Sequence, residues 1–390
     1  MKKTLLLITL FFTLSLFALD SFEPSKTCKA CHPIIYKEHF GSAHKNATIF
    51  KDPIHKAIWD KHPAKKKAKY KCAKCHTPTD TKLLKALANN ESALPQEESK
   101  AQQEAISCVY CHSIKDVEYH AKANRNILTD ENRTMFSARK DEKDTHNKEY
   151  KIETGLFGLV TKKSGSPFHK IDFSNENFYN GKICTGCHSH KQNSQHFDIC
   201  NMDLKEDTNT EDENCITCHM PMVQGSFTTA KDSKTHHYHG FTGAIHKPQM
   251  LAKYVKFYLN KSDDGFIVRV KNTANHQLLL HPLRVGELRV SIKRDAKTIT
   301  LPSVKFMRII GKDGKPAMPW IADTVLKNTH IQANETRKIN FNVHLQDNDR
   351  VIVELGHYIV NPKIAKKLGL EKYKEYTKFT LLKKSSFLIR

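Results

Sequence analysis

The chain has 390 residues, enough for two domains, and its 63 Lys and Arg against 41 Asp and Glu give a formal net charge of +22. No nucleic-acid recognition motif accompanies this charge, so a nucleic-acid partner is not indicated. A basic surface would instead steer acidic partners or small anions toward the protein, although a general lysine bias would give the same composition.

The N-terminus has the features of an export signal. Lys2 and Lys3 precede an almost purely apolar run, Leu5–Leu16, and Ala18 offers a cleavage point. The apolar run is short for a membrane span, although an uncleaved N-terminal anchor is the alternative. We therefore predict a signal peptide at residues 1–18 and a periplasmic protein that does not span the membrane once processed.

The pattern Cys-x-x-Cys-His occurs five times in the first 219 residues. It is the attachment pattern of c-type haem, in which two thiols bind the macrocycle covalently and the histidine is the proximal axial ligand of the iron. We therefore predict five covalently bound haem c groups, which use ten of the eleven cysteines. The predicted anchors are Cys28 and Cys31, Cys72 and Cys75, Cys108 and Cys111, Cys184 and Cys187, and Cys215 and Cys218, followed by the proximal ligands His32, His76, His112, His188 and His219.

Zinc knuckles and redox dithiols also use Cys-x-x-Cys, but both explain this chain less well. Zinc sites would pair the motifs two by two, would leave one over, and would not require a histidine after every second cysteine. A dithiol oxidoreductase would carry one motif beside a βαβ unit. The remaining thiol, Cys200, is expected to be unpaired; a thiolate haem ligand or a substrate-touching sulfur is the alternative.

The region from residue 19 to 249 is expected to be loop-rich and mainly α, folded around its haems. Apolar spacing predicts helices at Thr81–Leu87 and Gln96–Ile106, and a short helix is expected to begin at each proximal histidine. The strongly charged stretch Ala121–Tyr150 is expected to be a long excursion or insertion.

A low-spin haem needs a second axial ligand, usually His or Met, and 18 histidines remain after the five proximal ones. Five of them have small or aromatic neighbours suited to packing against a porphyrin, and these are the predicted distal ligands: His44, His120, His169, His239 and His246. Histidines in charged or polar runs are expected to be exposed: His55, His62, His146, His196, His236 and His237. His190, His276 and His281 are held as lesser candidates, the last two at a domain boundary.

The region from residue 250 to 390 contains no cysteine, and its apolar residues alternate. Turns are expected at Ser262–Gly265 and Gly311–Lys315. Five period-two segments and a possible final strand predict an antiparallel immunoglobulin-like β-sandwich, so the whole chain is expected to be an α+β multidomain protein. The predicted strands lie at Val255–Leu259, Phe266–Val270, Leu288–Ile292, Ile339–Val343, Val351–Leu355 and Tyr376–Leu382.

The residues of most of the 25–250 region resemble the multihaem cytochromes of the cytochrome c554/c-prime type. The resemblance rests on the first, second, fourth and fifth motifs with their flanks and on the segments Ser42–His44, Gly158–His169 and His239–His246. The segment Asn272–Arg284 resembles a strand and loop appended to many relatives, where the loop commonly carries Gly-His and Pro-Thr-Gly. Here Asn275 precedes His276, and this departure argues against carrying a haem-ligand role to His276.

The resemblance implies electron transfer, since the family mostly carries electrons. Its haem packing is similar to that of hydroxylamine oxidoreductases and pentahaem nitrite reductases, so an enzyme acting on a small nitrogen or sulfur compound at one open haem stays as the alternative. Ammonia-forming nitrite reductases use Cys-x-x-Cys-Lys at the catalytic haem, whereas all five motifs here end in His. We expect an electron carrier between a quinol-oxidising membrane cytochrome and a terminal reductase; a docking subunit of a larger complex is a third possibility.

Overall fold

The computed structural model describes residues 22–155, 161–202, 210–230 and 233–390. The predicted signal peptide and its cleavage point lie outside these ranges, as does Gly158. Among the described helices, none combines the length and the apolar character needed to cross a bilayer.

The helices of the first 230 residues are short, and four of them are built on the Cys-x-x-Cys-His motifs. They are α1 (Pro33–Phe40), α2 (Pro53–Lys61), α3 (Ala73–His76), α4 (Thr81–Ala88), α5 (Lys100–Glu104), α6 (Cys108–His112), α7 (Thr185–His188) and α8 (Cys215–His219). The helix predicted from Thr81 is confirmed as α4, with Leu83 on its buried face. The prediction for Gln96–Ile106 was too long, because Ser99 caps α5 and Ala105 ends it with a φ of 53°.

The expectation that each proximal histidine begins a helix holds only for the first motif, where His32 is the residue before α1. The other four helices end on their histidine, at His76, His112, His188 and His219. The expectation was wrong for these four because the motif itself folds as one helical turn.

Short strand pairs join these helices. The strands are β1 (Ile114–Glu118), β2 (Arg125–Leu128), β3 (Thr134–Phe136), β4 (Lys151–Thr154), β5 (Thr161–Ser164), β6 (Lys170–Asp172), β7 (His190–Gln192), β8 (Asp198–Asn201), β9 (Met222–Gln224) and β10 (Thr235–His237). The pairs β1–β2, β4–β5, β7–β8 and β9–β10 are antiparallel, and β3–β6 is parallel. The charged stretch 121–150 contains β2 and β3, so it is tied to its surroundings by strand pairing on both sides.

The region after residue 250 is dominated by antiparallel strands. In chain order these are β11 (Val255–Ser262), β12 (Gly265–Asn272), β13 (Val285–Arg294), β14 (Lys297–Thr300), β15 (Val304–Phe306), β16 (Arg308–Lys312), β17 (Lys315–Pro316), β18 (Thr324–Asn328), β19 (Thr336–Phe341), β20 (Arg350–Tyr358) and β21 (Thr380–Leu388), with the helices α9 (Pro362–Leu368) and α10 (Lys374–Thr377) before the last strand. The sheets have the orders β11-β12-β19, β14-β13-β20-β21 with β15 also on β13, and β17-β16-β18. The last predicted strand begins four residues later than expected, at Thr380, because residues 374–377 are helical.

The two larger sheets face each other across one apolar core. Val268 of β12 and Phe341 of β19 pack in the same cluster as Val290 of β13 and Val353 of β20. Gly265 has a φ of 144°, and a Cβ there would lie 2.2 Å from the Phe341 carbonyl oxygen, so the predicted turn before β12 needs this glycine. The fold is thus mixed α+β; its immunoglobulin-like style and the domain limits 19–249 and 250–390 stay predictions.

Buried histidines in the β-rich region predict acid sensitivity. His330 and His357 are each 1% exposed, and burial lowers the pKa of both to about 4, with the Arg308 and Arg284 charges also acting on His330. Between pH 6.5 and 4 these two histidines bind protons in the unfolded chain but not in the folded chain, so the stability that they contribute is fully present above pH 6.5 and is lost as the pH falls toward 4. We expect a loss on the order of 2–5 kcal/mol in the free energy of unfolding, measured by denaturant titration followed by circular dichroism.

Replacing the two histidines by His330→Gln and His357→Gln should make this pH profile less steep. The control His344→Gln changes an exposed histidine of the same region and should leave the slope unchanged. An equally steep profile in the double variant and the wild-type protein would refute the assignment to His330 and His357.

Candidate haem-binding centres

Each motif places its two cysteines and its histidine on one side of a helical turn. Residues i, i+3 and i+4 of a helix lie on one face, and these are the positions of Cys, Cys and His in Cys-x-x-Cys-His. The helices α6 and α8 contain the whole motif, and in α3 and α7 the first cysteine is the residue before the helix. In the first motif the His32 N–H donates to the Cys28 carbonyl over 2.9 Å, which closes the same turn. This is the arrangement that a covalent haem requires of its anchors.

Side-chain caps determine where two of these turns begin. The Ser107 hydroxyl accepts the Tyr110 N–H at the start of α6. At α8 the Asn214 side chain accepts the Ile216 and Thr217 N–H groups, and the Thr217 hydroxyl accepts the Asn214 N–H. Such caps contribute roughly 1 kcal/mol each and fix the direction in which a short helix leaves its loop.

Thiols of different motifs lie next to one another. Contacts within hydrogen-bond range join Cys28 to Cys108, Cys75 to Cys187, and Cys184 to Cys215. All eleven cysteines are free of disulfide bonds. The attachment points of the first and third motifs therefore adjoin, and those of the fourth adjoin both the second and the fifth.

Asn126 connects the third and fourth motifs. Its side-chain amide donates to the Tyr110 hydroxyl of α6 over 3.0 Å and contacts the Cys187 sulfur at 3.7 Å. The five attachment points thus form one continuous group.

Four of the proximal histidines donate Nδ1–H to a backbone carbonyl. A carbonyl oxygen can only accept, so Nδ1 carries the proton and Nε2 keeps its lone pair for a metal. These bonds are His32 to Phe227 (2.7 Å), His112 to Phe136 (2.6 Å), His219 to Thr242 (2.6 Å) and His76 to Ala47 (3.3 Å).

Four proximal histidines each have a second histidine ring at nearly the same separation. The ring-centroid distances are 6.4 Å for His32 and His169, 6.3 Å for His112 and His239, 5.9 Å for His188 and His44, and 6.1 Å for His219 and His276. Two imidazoles that bind one metal ion from opposite sides, each with its nitrogen about 2 Å from the metal, have centroids about 6 Å apart. The four pairs therefore have the spacing of axial ligands on a single iron.

In three of the four pairs, the second histidine has the same tautomer as the first. Nδ1 of His169, His239 and His276 lies 3.1, 2.6 and 2.9 Å from the carbonyl oxygens of Lys170, His237 and Gln277. Nδ1 of His44 is buried with no hydrogen-bond partner among the described residues, so either of its nitrogens is available to a metal.

The donor set fits haem better than a bare metal ion. Within the described ranges no three His, Cys, Asp or Glu side chains converge on one ion position. Instead, the histidine rings face each other in pairs about 6 Å apart, and each pair lies beside a Cys-x-x-Cys turn. Each pair would hold one haem iron through its two imidazoles, with the neighbouring cysteines as covalent anchors.

Burial favours the neutral form of five of the paired imidazoles. It lowers the pKa of His44 and of His239 to about 3, and it also lowers the pKa of His112, His188 and His276. A neutral imidazole is the form that binds a metal, so these side chains need no deprotonation at neutral pH.

Three of the five predicted distal ligands, His44, His169 and His239, lie opposite a proximal histidine. The structure does not place His120 or His246 in such a pair. Nδ1 of His120 accepts the Lys122 N–H over 3.4 Å, so its proton is on Nε2, and Nε2 of His246 lies 2.5 Å from the Tyr238 hydroxyl. Neither histidine has a free Nε2 lone pair.

His276 was not among the five predicted distal ligands. It lies in the loop after β12, where the Asn272 side chain donates to its carbonyl oxygen over 2.8 Å. The segment Asn272–Arg284 marked this loop as a family feature, but the Asn275 in place of Gly argued against a ligand role. The backbone of this loop places the His276 ring 6.1 Å from the His219 ring. A comparison of sequence motifs contains no such information.

His76 differs from the other proximal histidines because no ring faces it at about 6 Å in the described part of the chain. The His55 ring lies against it with ring centroids 3.9 Å apart and planes tilted by 41°, too close for an iron between the two rings, and both histidines bond to the Ala47 carbonyl. His55 and also His236 are buried, so the expectation that they are exposed was wrong.

Cys200 lies in β8, where burial raises the pKa of its thiol.

Removing the imidazole opposite His219 should leave one haem iron without its sixth ligand. We expect His276→Ala to change one low-spin haem to a high-spin form, seen by electron paramagnetic resonance and optical absorption, because the sixth ligand is lost. The matched variant His246→Ala removes a histidine outside the four pairs and should leave the low-spin count unchanged. The opposite result, a change in His246→Ala but not in His276→Ala, would contradict the pairing.

Comparisons with known proteins agree with this geometry. Residues 27–113 match the family model of cytochrome c554 and c-prime. No curated protein matches the chain. The fold is similar to that of a penta-haem cytochrome c552 from Thermochromatium tepidum, with a TM-score of 0.67, 22% sequence identity, and coverage of 94% of this chain and 99% of that one. At this identity the likeness shows a common fold.

Covalent attachment turns, axial histidine pairs and the match over residues 27–113 lead to the same assignment. Residues 27–113 therefore match the cytochrome c554 and c-prime family, and the chain as a whole has the fold of a penta-haem c-type cytochrome.

Proposed function

We propose that the protein is a periplasmic pentahaem cytochrome that passes single electrons between redox partners. Haem iron held at these sites supplies a one-electron couple. The observation that carries the proposal is the set of four histidine pairs, because an iron with both axial positions filled exchanges electrons without exchanging ligands. The haem number of five follows from the five attachment turns.

The adjoining attachment points support a continuous electron path. The contact between Cys28 and Cys108 joins the first site to the third, and Asn126 joins the third to the fourth. The fourth site continues to the second through Cys187 and to the fifth through Cys184. The fourth haem would then be a junction with three neighbours.

The partners and location are part of the proposal. The predicted signal peptide and the thioether chemistry favour the periplasm, and the net charge of +22 favours acidic redox partners. We propose a quinol-oxidising membrane cytochrome as the electron donor and a terminal reductase as the acceptor. The cysteine-free region, as an immunoglobulin-like β-sandwich, would support the fifth site through His276.

A multihaem oxidoreductase acting on a small nitrogen or sulfur compound is the second candidate. One observation favours it: His76 has no facing ring at iron-spanning distance among the described residues. An iron held by His76 alone would keep one axial position for a small molecule.

The haem count tests the number of sites. A pyridine haemochrome assay should give five haems per chain, and four for the double variant Cys215→Ser and Cys218→Ser, because the fifth site then has no thiol for a thioether bond. Cys200→Ser removes the cysteine outside the motifs and should keep all five. A clearly lower count in the wild-type protein would refute the pentahaem assignment.

Spin state tests the electron-carrier proposal. Electron paramagnetic resonance of the air-oxidised protein should show four low-spin haems with two histidine ligands, and high-spin character confined to one haem at most. Two or more ligand-accessible high-spin haems would contradict a carrier whose irons are closed by paired histidines.

A further inference from the structure

The carboxyl group of Glu38 joins two distant segments of the chain. Glu38 lies in α1, the helix that follows the proximal histidine His32. Its Oε2 accepts the His239 N–H over 2.9 Å, and its Oε1 lies 3.1 Å from Nε2 of His236. Glu38 and His239 are 201 residues apart in the chain. One side chain beside the first haem centre thus contacts the segment that carries a distal histidine.

The backbone of His239 lies beyond the end of a strand pair. The pairing of β9 with β10 stops at His237, and the His239 N–H is bonded by the Glu38 side chain instead. The His239 ring has its own bond, because Nδ1 lies 2.6 Å from the His237 carbonyl oxygen. The ring lies 6.3 Å from the His112 ring, with 17° between the planes. The two bonds together fix the backbone and the rotation of this imidazole.

His236 ties the same carboxyl group to the β9–β10 hairpin. Its Nδ1 lies 2.9 Å from the Gly225 carbonyl oxygen, which can only accept, so Nδ1 carries a proton. The contact between Nε2 and Glu38 Oε1 then holds one further proton. The side chains of His236 and Glu38 are 1% and 15% exposed, so water competes little for this bond. A glutamine at position 38 can make both bonds, by donating its amide N–H to His236 and accepting the His239 N–H.

We propose that Glu38 is a positioning residue of the third haem centre, the one built on α6, and that it holds the His239 imidazole opposite His112 through the His239 backbone. This inference rests on the proposed haem sites and adds a residue outside the motifs and the histidine pairs. It also links two centres, because the helix that carries Glu38 begins directly after His32 of the first centre.

The test is a titration of the air-oxidised holoprotein with imidazole, which competes with His239 for the iron. Glu38→Ala removes both bonds, so the third centre should gain a high-spin fraction, seen by optical absorption and electron paramagnetic resonance. Imidazole should bind to this centre about tenfold more tightly than in the wild-type protein, because the internal ligand is held less well. Glu38→Gln should restore the wild-type spectrum and titration, since the amide keeps both bonds.

Two further variants serve as controls. Glu98→Ala removes an exposed carboxylate and should leave the spectrum and the titration unchanged. Glu38→Leu removes the bonds but keeps most of the side-chain volume, so it replaces Glu38→Ala if that variant does not fold. Unchanged spin state and imidazole affinity in the variant that folds would overturn the inference. An equal change in Glu38→Gln would also overturn it, since the charge and not the two hydrogen bonds would then be responsible.

His239→Ala separates this inference from the proposed function. It removes the imidazole itself and should convert one low-spin haem to the high-spin form while all five haems stay attached. A change in His239→Ala without one in Glu38→Ala or Glu38→Leu would overturn only the role of Glu38. An unchanged spin state in His239→Ala would refute the pairing with His112, on which the electron-carrier proposal depends.

Discussion

The arrangement of the centres depends on one hydrogen bond, from Nδ1 of a histidine to a backbone carbonyl. It fixes the tautomer and the rotation of the ring, and so aims the Nε2 lone pair. His112 and its partner His239 both make this bond, to Phe136 and His237. His281 accepts at Nδ1 and presents a donor instead. The Nδ1 partner thus decides whether a neutral ring presents a lone pair or an N–H group at Nε2.

The β-rich region is integrated with the haem-binding region by polar contacts as well as by His276. Arg308 donates to the Ile199 and Asp198 carbonyls of β8, and the Asn193 amide donates to the Ala322 carbonyl. In the loop after β12, Gln277 donates its side-chain amide to the Asn201 carbonyl, and the neighbouring His276 ring lies 6.1 Å from the His219 ring at the end of α8. The β-rich region thus holds His276, one of the paired histidines, in place beside the haem-binding region.

Sequence patterns predicted the features that are local. The five attachment turns, helix α4 and the alternating strands of the two large sheets follow from spacing within about ten residues. The axial pairs join distant residues, such as His32 with His169, and depend on where the backbone presents a carbonyl to Nδ1. Small or aromatic neighbours selected His44, His169 and His239 but also His120 and His246, because neighbour type carries no information on the Nδ1 partner.

The most direct test is a crystal structure of the holoprotein with iron located by anomalous scattering at the iron edge. The account predicts five iron positions, four of them midway between the rings of His32 and His169, His112 and His239, His188 and His44, and His219 and His276, and a fifth on His76. Iron bound to His219 with His246 opposite, or a second histidine ligand on the His76 iron, would contradict it.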